Sequence, residues 1–127
     1  MSEIVSGLIR ILTVDDHAFF REGLAMVLAT QPDMVLVAEA SSGREAIEQF
    51  RAYAPDITLM DLQMPMMTGL EAMAAIRKEY PEAKIIILTT YTGDAENARK
   101  LGARAYLLKA SLDKELLETI RAVHTAQ

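Results

Sequence analysis

Four places in this sequence hold residues whose types and spacing could do chemistry together. Asp15 and Asp16 follow one apolar run, Asp61 ends another, Thr89 and Thr90 end a third, and Lys109 ends a fourth. The stretch from Ile57 to Pro65 shows the pattern best: Ile-Thr-Leu-Met is cut off by Asp61, and Pro65 marks a loop four residues later. A carboxylate at the end of a buried strand is costly unless something there uses it. Three aspartates held close together raise one another's pKa, and a hard divalent cation relieves that repulsion. Mg²⁺ suits such a place, because it takes one or two carboxylates and fills its shell with water and phosphate oxygens. Beside it, the Lys109 ammonium and the Thr89 hydroxyl would hold phosphoryl oxygens. A nucleophilic carboxylate in that company is equipped for phosphoryl transfer. Taken singly, the pieces have plainer readings: the aspartate pair as a helix cap, Thr89 as an ordinary strand-end hydroxyl, Lys109 as a solvated loop lysine. Their order on successive strand ends is the stronger signal.

Bringing these residues together requires strands whose carboxyl ends all point the same way. Leu8 to Val14, Met34 to Ala38, Ile57 to Met60, Lys84 to Leu88 and Ala105 to Leu108 read as five strands. Helices alternate with them. The first starts near His17, with Phe20, Leu24, Val27 and Leu28 on its apolar face. Ser42 and Glu45 have capping-box spacing for a second, with Gly43, Ala46, Ile47, Phe50 and Ala54 on its face and Pro55 at its end. Thr68 and Glu71 repeat that spacing for a third, running through Leu70, Met73 and Ile76 to Tyr80. A fourth, around Asp94 to Leu101, has only Ala95, Ala98 and Leu101 to bury, and Gly102 is a plausible stop. Leu112, Leu116, Leu117, Ile120 and Val123 line the last. Strands that are apolar throughout, rather than alternating, predict a parallel five-stranded α/β sheet covered on both faces. Ligands of such sheets gather at the carboxyl ends of the strands.

The totals set bounds. A chain of 127 residues fits one domain, and residues 1–127 read as such, with a core of about 8–124. The apolar runs are too short for a membrane span, and Met1 to Gly7 has no signal-peptide pattern. Without cysteine there is no disulfide framework and no thiolate metal site, which is compatible with the cytoplasm. A net charge of −5 argues against nonspecific binding of nucleic acid.

From about Ile9 to His124 the chain resembles the receiver domains of two-component response regulators. Val14-Asp15-Asp16-His17 is similar to that family's acidic pair, and Met60 to Pro65 with Gly69 to its phosphoacceptor loop. Ile87 to Tyr91 matches its switch hydroxyl, and Gly102 to Lys109 its lysine. Asp-Asp-His, Leu-Thr-Thr-Tyr and Tyr-Leu-Leu-Lys-Ala bring it nearest to the NarL/FixJ (LuxR-type) subfamily. The resemblance implies a flavodoxin-like, doubly wound sheet of order 2-1-3-4-5 with five helices. It also implies that Asp61 takes a phosphoryl group from a sensor histidine kinase. Asp15 or Asp16, Asp61 and the backbone carbonyl of Gln63 would hold Mg²⁺, with Mn²⁺ as an alternative. Lys109 and Thr89 would hold the phosphoryl oxygens, Thr89 and Tyr106 would form the switch, and the face of helix four, strand five and helix five would change partners. On this reading the chain is a signalling domain rather than an enzyme acting on other molecules. A homodimer is expected through that face or through helices one and five. Binding to DNA is expected only through a C-terminal helix-turn-helix domain beyond Gln127.

Some positions depart from the family pattern. Nineteen residues separate Thr89 from Lys109, fewer than is usual, so a short or irregular fourth helix is expected. Lys109-Ala110 stands where lysine-proline is often found, so the family's cis peptide is not carried over. Thr90 is larger than the residue often seen there. With Gln63 and Tyr91 it is expected to restrict hydrolytic water, so that Thr90→Ala speeds loss of phosphate. Five of the eight methionines (Met60, Met64, Met66, Met67, Met73) cluster near the phosphoacceptor loop. They read mainly as core or loop filler, with Met66 and Met67 as an apolar contact surface. His17 reads as the start of the first helix and His124 as a surface residue. Two other classes remain open: an interaction module of the same fold that never takes phosphate, and a haloacid-dehalogenase-style hydrolase. Against the latter, Gln63 stands where those enzymes carry a second aspartate. A flavodoxin-like FMN protein would need a phosphate loop after the first strand, and none is present.

Overall fold

Five apolar segments pair into one parallel sheet in the computed structural model, which describes residues 7–90 and 93–126. The strands are β1 (Ile9–Val14), β2 (Met34–Ala40), β3 (Ile57–Asp61), β4 (Ile85–Thr89) and β5 (Ala105–Leu108), in the order β2-β1-β3-β4-β5. Between and after them lie α1 (Ala18–Ala29), α2 (Gly43–Tyr53), α3 (Gly69–Glu79), α4 (Ala95–Lys100) and α5 (Leu112–Thr125). A 3₁₀ turn, Lys109–Ser111, leads from β5 into α5.

Alternation along each strand explains why both faces need cover. Ile11, Ile57, Leu59, Ile86 and Leu88 point one way and pack with Leu24, Leu28, Leu116 and Ile120 of α1 and α5. Leu12, Val14, Met60, Ile85 and Ile87 point the other way, against Ala46, Phe50, Met73 and Ile76 of α2 and α3 and Ala98 of α4. Two apolar layers thus clamp one sheet. Each fully buried Leu or Ile contributes roughly 1.5–3 kcal/mol relative to exposure. At the centre of the sheet, Ile57, Leu59, Met60, Ile85, Ile86 and Ile87 are wholly buried.

Local signals set the helix ends. Thr68 and Glu71 form a complete capping box at α3, each side chain bonding the other's backbone N–H. At α2 the expected box is only half formed. The Ser42 hydroxyl accepts from Glu45 N–H, but the Glu45 carboxylate reaches Ser41 instead of the Ser42 backbone. Ala54, expected on the buried face of α2, is instead its exposed C-cap in a left-handed conformation (φ 44°), with Pro55 next in the chain. Val27 also departs from expectation: Leu24 and Leu28 face the sheet, and Val27 is left exposed at the margin of α1. The fourth helix is short, as the sequence spacing predicts. It has six residues, buries Ala98, and leaves Leu101 beyond its end and exposed. No cis peptide occurs among the described residues, Lys109–Ala110 included.

The methionines divide. Met60, Met64 and Met73 are core residues, and Met67 lies half-buried against Gly43. Met66 is fully exposed, with a left-handed φ of 74°, so the expected contact surface reduces to this one side chain. Register then does the positioning. Val14 pairs with Met60, Asp61 with Leu88 and Thr89 with Leu108, so the carboxyl ends of four strands form one row.

Candidate functional site

That row carries the residues singled out from the sequence. Asp15 lies just past β1, Asp61 is the last residue of β3, Thr89 is the last of β4, and Lys109 follows β5. All but Lys109 are almost fully buried, and Lys109 is largely covered. The Lys109 Nζ donates to Asp15 Oδ2 at 2.8 Å and lies 3.4 Å from Asp61 Oδ1, so one ammonium bridges two strand ends. Asp15 is held from its other side by the backbone N–H of His17, at 2.8 Å from Oδ1. Arg21 of α1 donates to the Asp15 carbonyl and pairs with Glu39, tying the β1 end to the β2 end. These contacts fix the carboxylate in place.

Burial raises the pKa of Asp61 above the usual carboxylate range, and the neighbouring charge of Asp15 adds to the rise. Lys109 offsets part of it. A group so placed holds its charge at some cost, which is the state a cation or a phosphoryl acceptor role would require.

His17 sits at the N-cap position of α1, where it begins the helix as expected, although its side chain makes no capping bond. Its ring, read from the sequence as a helix start in preference to a metal ligand, also joins the cluster: Nδ1 lies 3.1 Å from Asp15 Oδ1 and 3.2 Å from Asp16 Oδ1. One ligand atom each from Asp15, Asp16, His17 and Asp61 falls within 4.8 Å of the others. Asp16 Oδ1 is buried and accepts no hydrogen bond. This oxygen, with the His17 ring 3.2 Å away and two more carboxylates beside it, belongs to a donor set that fits a hard divalent cation.

Residues 11–121 match the model of the response regulator receiver domain. The chain belongs to the response regulator receiver family. The receiver is 40% identical over 118 residues to the response regulator protein VraR of Staphylococcus saprophyticus, an overlap covering 91% of this chain and 56% of that protein. It thus spans about half the length of the curated relatives it matches. Among solved structures it is similar to a two-component response regulator of the LuxR family from Aurantimonas sp. SI85-9A1. The identity there is 38% and the TM-score 0.87, over 92% of this chain and 85% of that one. A DNA-binding response regulator of the LuxR family from Staphylococcus aureus matches at 32% identity and a TM-score of 0.86, over 93% and 100% of the two chains. These likenesses make it a NarL/LuxR-type receiver domain, the phosphoacceptor switch of two-component signalling.

The remaining site expectations of this receiver concern Tyr106, Gln63, Thr90 and Tyr91. Tyr106 is half-buried on β5, while Gln63 and Thr90 are exposed on the loops after β3 and β4. Tyr91 lies outside the described residues. One contributor was not visible from the sequence. Phe20, expected only as a core residue of α1, places its ring under Lys109, with Nζ 4.1 Å from the ring centroid.

The raised pKa of Asp61 has a measurable consequence. Between the ordinary carboxylate pKa and the raised one, the folded chain binds more protons here than the unfolded chain. The contribution of Asp61 to stability therefore falls as pH rises through that window and stays low above it. In divalent-free buffer at neutral pH, Asp61→Asn is expected to be more stable than wild type by about 1 kcal/mol. The difference should narrow toward acid pH, as read by urea unfolding; a variant less stable at pH 7 would contradict the assignment.

Proposed function

We propose that this receiver accepts a phosphoryl group on Asp61 from the phosphohistidine of a sensor kinase and thereby changes its α4–β5–α5 face. The observation that carries the reading is the Lys109 bridge between Asp15 and Asp61, set beside an acidic cluster with an unsatisfied oxygen. In the transfer, an Asp61 oxygen forms a bond to phosphorus as the P–N bond breaks, and the nitrogen lone pair returns to the imidazole. Asp15, Asp16, Asp61 and the Gln63 carbonyl would hold Mg²⁺ or Mn²⁺. When bound, that ion supplies positive charge against the carboxylates and the phosphoryl oxygens. Lys109 leaves its bridge to meet the new phosphoryl oxygens, and Thr89 offers them its hydroxyl. Thr89 closing toward Asp61 makes room for Tyr106 to turn inward. This is a local charge event biasing a two-state element.

Other surfaces suit the expected partners. An apolar groove of about 550 Å³ between α1 and α5, lined in part by Phe19, Val27, Leu112 and Leu117, is open to a kinase or a second receiver. Among the described residues no helix is long and apolar enough to cross a membrane. The LuxR-family neighbour from Staphylococcus aureus is a DNA-binding response regulator, and a transcriptional output is the reading proposed for this protein.

Gln63 and Thr90, exposed on the loops after β3 and β4, would screen the phosphoryl group from water. Thr90→Ala is accordingly expected to lose phosphate several-fold faster, as followed by the decay of the phosphorylated mass; an unchanged or slower decay would count against this role. The switch itself is tested with beryllium fluoride, a phosphoryl mimic, and Mg²⁺. Amide resonances should shift at Thr89, Tyr106 and throughout α4, and shifts confined to the loops around Asp61 would leave no switch.

A further inference from the structure

We infer that Phe20 is a positioning residue that holds the Lys109 ammonium, through its ring face, on the two aspartates of the site. Three distances define the arrangement: Nζ is 2.8 Å from Asp15 Oδ2, 3.4 Å from Asp61 Oδ1 and 4.1 Å from the centre of the Phe20 ring. A lysine side chain is long and loses much rotamer freedom when fixed in one place. Carboxylates alone attract it without specifying the direction from which it arrives. An aromatic face at this distance attracts the ammonium electrostatically and walls off the space behind it. Phe20 is suited to be that wall, because it is itself anchored: it sits in the first turn of α1 and packs against the core layer shared with α5. Phe19, its neighbour, is largely exposed at the rim of the α1–α5 groove.

The wall also borders an open space. Phe20 and Lys109 both line the α1–α5 groove, so without the ring the ammonium could swing from the aspartates into that groove. Its charge would then be missing where phosphoryl oxygens arrive. The role in phosphoryl transfer rests on the function proposed above, whereas the positioning of Lys109 does not.

The test therefore has two arms. In the first, NMR of the phosphate-free receiver reads Lys109 directly. Its Hε resonances should lie upfield through the ring current of Phe20, and its ammonium protons should exchange slowly enough to be seen. Phe20→Leu should move the Hε shifts to ordinary values and quicken that exchange. Ordinary Hε shifts in wild type, or slow ammonium exchange kept in Phe20→Leu, would overturn the proposal whatever happens with phosphate.

In the second arm, phosphorylation by acetyl phosphate with Mg²⁺ is followed for wild type, Phe20→Leu, Phe20→Tyr and a receiver carrying tetrafluorophenylalanine at position 20. The rate should fall about 5- to 30-fold in Phe20→Leu, the range expected for a partly desolvated cation–π contact. It should also fall with the fluorinated ring, which keeps the size of phenylalanine and weakens its negative face. Phe20→Tyr should retain the rate. Equal rates for the natural and fluorinated rings would show that Phe20 merely fills space, and the proposal would fail. Should wild type take no phosphate at all, the function proposed above fails and the first arm still decides the position of Lys109.

Discussion

Lys109→Met is expected to reduce phosphorylation of Asp61 by acetyl phosphate 100-fold or more and to destabilise the metal-free receiver by about 2–3 kcal/mol. Both effects have one cause. The Lys109 ammonium is the cation that the structure places within 4 Å of both Asp15 and Asp61, and those carboxylates are almost wholly buried. Removing it leaves their charges facing one another with less compensation, at a cost below that of a fully enclosed pair because the lysine is partly exposed. Methionine keeps the apolar stem, so packing along α1 is largely preserved. A divalent cation that binds the folded chain alone stabilises it by mass action. The stability loss should therefore shrink in millimolar Mg²⁺, while the loss of phosphorylation rate persists, because phosphoryl oxygens still lack the ammonium. Urea unfolding with and without Mg²⁺, alongside the rate, checks both. A variant as stable as wild type in EDTA would contradict the bridging role.

Gly69→Ala is expected to be at least as damaging, costing about 3 kcal/mol and much of the phosphoacceptor activity. Gly69 opens α3 directly behind the loop that follows Asp61, and its N–H donates to the Leu62 carbonyl at 2.7 Å. A β-carbon there would run into the Asp61 carbonyl oxygen, and would meet the Asp61 carbonyl carbon and Leu62 Cα at 3.0 Å. These are backbone atoms at the end of a central strand, which no rotamer change can move. Relief has to come from shifting the β3 end or the start of α3, and either displaces the Asp61 carboxylate from Lys109. Chemical denaturation and the acetyl phosphate rate measure the two effects. An alanine variant matching wild type in both would mean that the loop accommodates the methyl group without moving Asp61.

How much of this could be read from the sequence depended on the range of the interaction. The strands were legible because a parallel sheet covered on both faces demands continuous apolar runs, and Ile85-Ile86-Ile87-Leu88 has no other use for four such residues in line. Asp61 and Asp15 stood out for the same reason, as charges placed where burial ends. The short α4 was legible from the spacing between Thr89 and Lys109. Side-chain direction at the margins was harder. Val27 fits a helical period, yet a face only as wide as Leu24 and Leu28 leaves it in solvent, and Ala54 followed the period of α2 into a left-handed cap. The Phe20 ring could not be assigned at all. Its partner stands at the far end of the chain, and nothing local separates a core phenylalanine from one that lies under a lysine. The His17 ring stands next to two acids in the sequence, but its contacts with both aspartates arise from the turn between β1 and α1.

The central claim, that Asp61 is a phosphoacceptor served by the acidic cluster and Lys109, is tested most directly by intact mass. Wild type and Asp61→Asn would be incubated with acetyl phosphate, each with Mg²⁺ and each with EDTA. The account predicts one added phosphoryl group on wild type with Mg²⁺ and none in the other three samples. No addition to wild type, or equal addition to Asp61→Asn, would contradict it.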